Sequence, residues 1–183
     1  MDTPLTNEEQ NILLGIARDA ITSYLLDGVR IEVTREEEAL NQRRGCFVTL
    51  QQEDQLRGCI GTFCSERPLC QEVATMAIAA ATEDPRFYPM RQEDLDNFSI
   101  EISVLSPLRK TEDPNEIVVG LHGIYLEKDF QRGVLLPQVA VEHGWDRETF
   151  LQHTCAKAGL PKDAWRSADC DIYLFSAQIM KEA

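Results

Sequence analysis

The sequence predicts an α+β protein: a mixed, largely antiparallel sheet with flanking helices, at a length that leaves room for a smaller second lobe. Two apolar patterns with helical spacing stand in the first half of the chain. A clean period-2 alternation runs from Phe98 to Leu105. Strand pairs joined by hairpins are interrupted by helices, without the regular strand–helix alternation of a doubly wound parallel sheet. The chain has 183 residues, which suits one domain, or one domain with a small appended lobe.

Thr6 is placed to cap a helix, with Glu9 three residues on as in a capping box. Ile12, Leu13, Ile16, Ala17, Ala20, Ile21, Tyr24 and Leu25 then recur on one face, predicting a helix over 7–26 stopped near Gly28. The polar stretch 34–44 follows, with Glu36, Glu37 and Glu38 on a solvated face. A strand is expected over 45–50, a turn over 51–55 and a returning strand over 56–63. Gly58 and Gly61 sit inside that second strand, where glycine marks a bulge or a close approach by ligand or backbone. Pro68 precedes an alanine-rich helix that must end before Asp84-Pro85, because proline disfavours helical backbone in the residue before it.

Ser106-Pro107 ends the alternating strand. Segments 116–119 and 123–127 suggest a hairpin around Gly120-Leu121-His122. A turn over 129–132, a short strand over 133–136 and a helix opening at Pro137 and closed by Gly144 come next. Asp146 caps a further helix that stops at Gly159. A last strand is expected over 171–179.

Composition narrows the function classes. Asp and Glu number 31 against 18 Lys and Arg, a formal net charge of -13. That field repels a phosphate backbone, so broad nucleic-acid binding is not expected. Arg43, Arg44 and Arg57 are close enough in sequence to form a local basic cleft. The six cysteines form no Cys-x-x-Cys pair and no zinc-finger spacing, so they read as thiols in a reducing cytoplasm. Residues 1–4 show no secretory signal, and no run of 18 apolar residues exists. No metal or cofactor is assigned.

Four segments can carry chemistry. In Arg57-Gly58-Cys59-Ile60-Gly61-Thr62, the flanking glycines leave Cys59 little steric cover. Arg57 would share its face if the strand is regular, and a guanidinium favours the thiolate. The alternative is a tightly packed strand with a buried thiol. In Asp84-Pro85-Arg86-Phe87, Arg86 can bind a ligand anion or form a surface salt bridge in a helix-stop loop. Glu101 occupies a polar strand position and can act as a base or simply face water. His122, between glycines, can titrate near neutrality and activate a thiol if it meets Cys59, or be only a turn residue. His143 and His153 are not spaced as paired ligands.

Leu56-Arg57-Gly58-Cys59-Ile60-Gly61 resembles the signature of the AMMECR domain family, whose microbial members are called AmmeMemoRadiSam system protein A. The resemblance extends, in order, to Asp84-Pro85-Arg86-Phe87, Glu101-Ile102-Ser103-Val104-Leu105, His122-Gly123, Leu135-Leu136-Pro137-Gln138-Val139-Ala140 and Lys157-Ala158-Gly159-Leu160. It implies a single domain over 1–183 of a larger and a smaller lobe, inside the cell. It also implies Memo-like and radical SAM protein partners, and a nucleic-acid-modifying role drawn from fold analogy, against which the acidic balance of the chain weighs. With it, the expected site is Cys59 as nucleophile or thiol carrier and Glu101 or His122 for proton transfer. Arg57, Gly58, Gly61 and Arg86 would face the substrate. The other expectation is a non-catalytic binding or scaffold module.

Overall fold

The structure, a computed structural model, describes residues 4–182. Residues 1–3, part of the segment read for a leader, lie outside the described residues. Helix α1 spans Asn7–Asp27. The Thr6 hydroxyl accepts from Glu9 N (3.3 Å) and Glu9 Oε2 accepts from Thr6 N (2.7 Å), closing the capping box. Gly28 ends the helix with φ 69°, a left-handed turn that a side chain would strain. A four-residue helix α2, Glu38–Asn41, interrupts the expected polar stretch because Leu40 is fully buried there.

Strands β1 (Cys46–Gln52) and β2 (Gln55–Thr62) form an antiparallel hairpin. Its two turn residues, Glu53 and Asp54, both have positive φ, as a tight hairpin turn requires. Helix α3 follows (Leu69–Thr82), then strand β3 (Ser99–Leu105), antiparallel to β1. Strand β4 (Arg109–Thr111) is short and charged and has no apolar alternation to betray it. Strands β5 (Gly123–Lys128) and β6 (Gln131–Leu135) pair across a turn at Asp129. Helices α4 (Pro137–Glu142) and α5 (Arg147–Lys157) follow, the second capped by Asp146 accepting from Thr149 N. Strands β7 (Asp171–Phe175) and β8 (Ala177–Lys181) close the chain.

The strands make two four-stranded sheets, ordered β2-β1-β3-β8 and β4-β7-β5-β6, and not one. Two compact units result. The first holds residues 4–105 and 178–182, the second Ser106–Ala177. In the first, Leu13, Ile21, Val48, Leu50, Leu69, Ile100 and Ile102 are fully or almost fully buried where α1 and α3 cover one face of the sheet. In the second, Ile124, Leu126 and Leu174 of the sheet pack with Phe150, Leu151 and Cys155 of α5. Among the described residues, no helix is long and apolar enough to cross a membrane.

Two local expectations are corrected. Residues 116–119 do not pair with 123–127. Pro114 cannot donate a backbone hydrogen bond, Asp113 caps a 3-10 turn over Pro114–Glu116, and Val118 O accepts from Leu121 N and His122 N. Strand β5 pairs with β6 and β7 instead. The expected last strand breaks at Ser176, whose backbone exchanges hydrogen bonds with Ser106: Ser176 O accepts from Ser106 N (2.9 Å) and Ser176 N donates to Ser106 Oγ (2.9 Å). The apolar alternation on either side continues through that break and conceals it.

Candidate functional site

Within the first unit, β2 departs from regular strand register at one point. Leu50 pairs with Gly58 but its neighbour Gln51 pairs with Leu56, so Arg57 is the extra residue of a β-bulge. Arg57 therefore does not share a face with Cys59 by simple two-residue spacing. Its guanidinium is instead directed to Asp94 (3.8 Å). Gly58 follows. A Cβ there would overlap the carbonyl oxygen of Ala80 in α3, so only glycine lets helix and strand backbones approach this closely. At Gly61 the same space is taken by the Phe47 ring and the Cys46 carbonyl. The room the two glycines leave is filled by protein atoms.

Cys59 is half-buried and sits on the sheet face away from α1 and α3. Its cross-strand partner is Thr49, which in turn pairs with Glu101. The Thr49 hydroxyl donates to Cys59 Sγ at 3.2 Å. Glu101 Oε2 bonds Lys181 Nζ of β8 at 2.7 Å. Cys59, Thr49, Glu101 and Lys181 thus form one polar row across four strands.

The backbone of Cys59 is gripped from the loop after α3. Its N–H donates to Asp84 Oδ2 (2.9 Å), and its carbonyl accepts from Arg86 Nη2 (3.4 Å). Asp84 and Arg86 close on each other. Oδ2 accepts from Arg86 Nη2 at 2.7 Å, and Oδ1 from Arg86 Nε at 3.0 Å and Arg86 N at 3.1 Å. The Asp84 side chain is 2% exposed. The Arg86 guanidinium, with help from the Cys59 and Arg86 N–H groups, holds the Asp84 carboxyl well below the usual carboxylate range despite burial. The same pair pushes Arg86 up.

The remaining cysteines sort by burial. Cys46, Cys70, Cys155 and Cys170 are buried, and burial pushes each thiol up, which keeps it protonated and inert. Cys64 is exposed. Arg43, Arg44 and Arg57 are directed to three separate acceptors, Glu66, the Leu105 carbonyl and Asp94, and make no shared basic cleft. His122 belongs to the second unit, where its Nδ1 accepts from Val118 N (3.1 Å). His143 and His153 both stack on Trp145, with ring centroids 4.7 and 3.9 Å away. The register that joins Thr49 to Cys59 could have been inferred from the hairpin turn, had the bulge been visible in the sequence, whereas the pairing of Thr49 with Glu101 of β3 is tertiary and no turn sets it. Lys181 carried no such signal.

The AMMECR1 family profile matches residues 14–180. The chain belongs to the AMMECR1 family. A protein of Methanopyrus kandleri is 47% identical over 191 residues, covering 100% of this chain and 92% of its own. One from Methanocaldococcus jannaschii is 44% identical, covering 97% and 92%. The crystal structure of an uncharacterized protein from Pyrococcus horikoshii superposes with a TM-score of 0.86 at 42% identity, covering 97% of this chain and 93% of that one.

Proposed function

We propose that this AMMECR1-family chain is an enzyme, or a subunit of one, in a cytoplasmic modification pathway with radical SAM and Memo-like partners, and that Cys59 is its nucleophile or thiol carrier. One observation carries this: Cys59 has a half-buried thiol on a polar sheet row, with its own peptide gripped at both ends by Asp84 and Arg86. Glu101, two strands along that row, is the proton-transfer group. Arg86, 55% exposed on its side chain, is the anchor for a substrate anion. Arg57, Gly58 and Gly61 shape the strand that presents the thiol. His122 enters as a second proton-transfer group on the sequence argument alone.

Cys64 serves as an internal reference. Alkylation by iodoacetamide at neutral pH, quantified by mass spectrometry at both cysteines, is expected to be faster at Cys59 than at Cys64, although Cys64 is more exposed. A slower rate at Cys59 would sink the reactive-thiol reading.

A second reading, a non-catalytic binding module, is favoured by the glycines, which close onto Ala80 and Phe47 rather than onto open space. It predicts that Cys59→Ser still co-purifies with a radical SAM or Memo-like partner. Loss of that partner in an otherwise folded variant would count against it.

A further inference from the structure

We infer that Asp84 is the positioning residue of the Cys59 site: with Arg86 it closes a ring around the Cys59 peptide and so fixes the thiol against Thr49. The inference rests on Cys59 being the reactive centre. Its basis is an accounting of one buried carboxylate. A carboxylate offers about four acceptor positions. Those of Asp84 receive Cys59 N, Arg86 N, Arg86 Nε and Arg86 Nη2. Among the described residues, the carboxylate oxygens accept no other hydrogen bond than these four, while the Asp84 backbone carbonyl separately accepts from Phe87 N (3.2 Å). The side chain is 2% exposed, and a buried charge is costly unless it is fully partnered. It also stands two residues beyond the end of α3, where the helix dipole disfavours an anion. A group placed against both penalties, whose bonds all lead to one cysteine peptide and its second clasp, is there to hold that peptide.

Two adjacent features act on the same point. The bulge at Arg57 re-aims the strand just before Cys59. The contact of Gly58 with Ala80 sets the strand at the height of the last turn of α3, and Asp84 follows two residues after that turn ends. Strand β2 is the edge of its sheet, so the outward-facing N–H and C=O of Cys59 have no neighbouring strand to order them. The Asp84–Arg86 pair supplies those two bonds. With the peptide fixed, Sγ lies 3.2 Å from the Thr49 hydroxyl.

The test compares the full-length wild type with Asp84→Asn and with the double variant Asp84→Asn/Arg86→Gln, which leaves no buried charge unpaired if the single variant folds poorly. The readouts are the ratio of Cys59 to Cys64 alkylation and the hydrogen exchange of the Cys59 amide, with the Val48 amide as reference. In either variant the Cys59 amide should exchange about tenfold faster or more, the scale of one lost charge-assisted hydrogen bond, while Val48 is unchanged. The alkylation ratio should fall with it. Thr49→Val should lower the ratio when the clamp is intact and add nothing in the Asp84→Asn background, whereas Thr49→Ser should keep the wild-type ratio. A purely structural role would make the two substitutions additive. An unchanged ratio in both clamp variants overturns the positioning role. A wild-type ratio below one overturns the Cys59 reading instead, so the two failures are told apart.

Discussion

Asp84 ties a local electrostatic choice to a measurable property of the folded protein. Its carboxyl is held well below the ordinary value of about 3.9, chiefly by Arg86. A depressed folded value means that the unfolded chain binds the proton more readily. The stabilisation is therefore complete above the ordinary value and is lost as pH falls through the range beneath it. Urea unfolding midpoints followed from about pH 6 to about pH 3 should fall more steeply for the wild type than for Asp84→Asn in the lower part of that range. Parallel curves would show that the pair contributes nothing linked to protonation. At this scale the sequence displayed Cys59 and Arg86 as separate segments 27 positions apart, and their contact is tertiary. Spacing also assigned Arg57 to the face of Cys59, because a bulge leaves no mark on a pattern read two residues at a time. The glycines were legible as close approaches, but the approaching atoms, Ala80 and Phe47, were not.

Elements were most legible where local chemistry alone decides them. The Thr6–Glu9 capping box is reciprocal in the structure, and α1 ends at Gly28 in the left-handed turn that glycine favours. Thr6→Ala removes the acceptor for Glu9 N and should cost about 1 kcal/mol in urea unfolding, with Thr6→Ser close to wild type. A loss near zero would mean that water or a neighbouring group replaces the cap. Elements were least legible where pairing decides them. Strand β4 is three residues of mostly charged side chains, held by β7 through Arg109–Leu174, Lys110–Tyr173 and Thr111–Ile172. The break at Ser176 is likewise set by a partner, Ser106, seventy positions away, while the alternation around it runs on without a gap. Helix α2 buries Leu40, which with Ala39 is all the apolar content of a polar stretch, too little for periodicity to register.

On the scale of the whole molecule, the α+β class followed from the mixture of helical and period-2 patterns, but the division of the strands between two sheets did not. The chain leaves the first unit after Leu105 and returns at Gln178, so each sheet draws strands from distant parts of the sequence. Each unit has its own apolar core, and the core of the first, which draws on α1, α3 and the sheet of β2-β1-β3-β8, is the larger. Larger cores bury a greater share of the surface their chain exposes on unfolding. Separate cores of unequal size predict two cooperative steps, with the second unit yielding first. The optical probes are already divided. Both tryptophans, Trp145 and Trp165, lie in the second unit, whereas the long helices α1 and α3 lie in the first. Tryptophan fluorescence should therefore lose its native signal at lower urea than far-ultraviolet circular dichroism, which is weighted to those helices. Stacking of His143 and His153 on Trp145 gives that fluorophore a specific native environment to lose. Coincident transitions by the two probes would mean that the chain unfolds as one cooperative body in spite of its two cores.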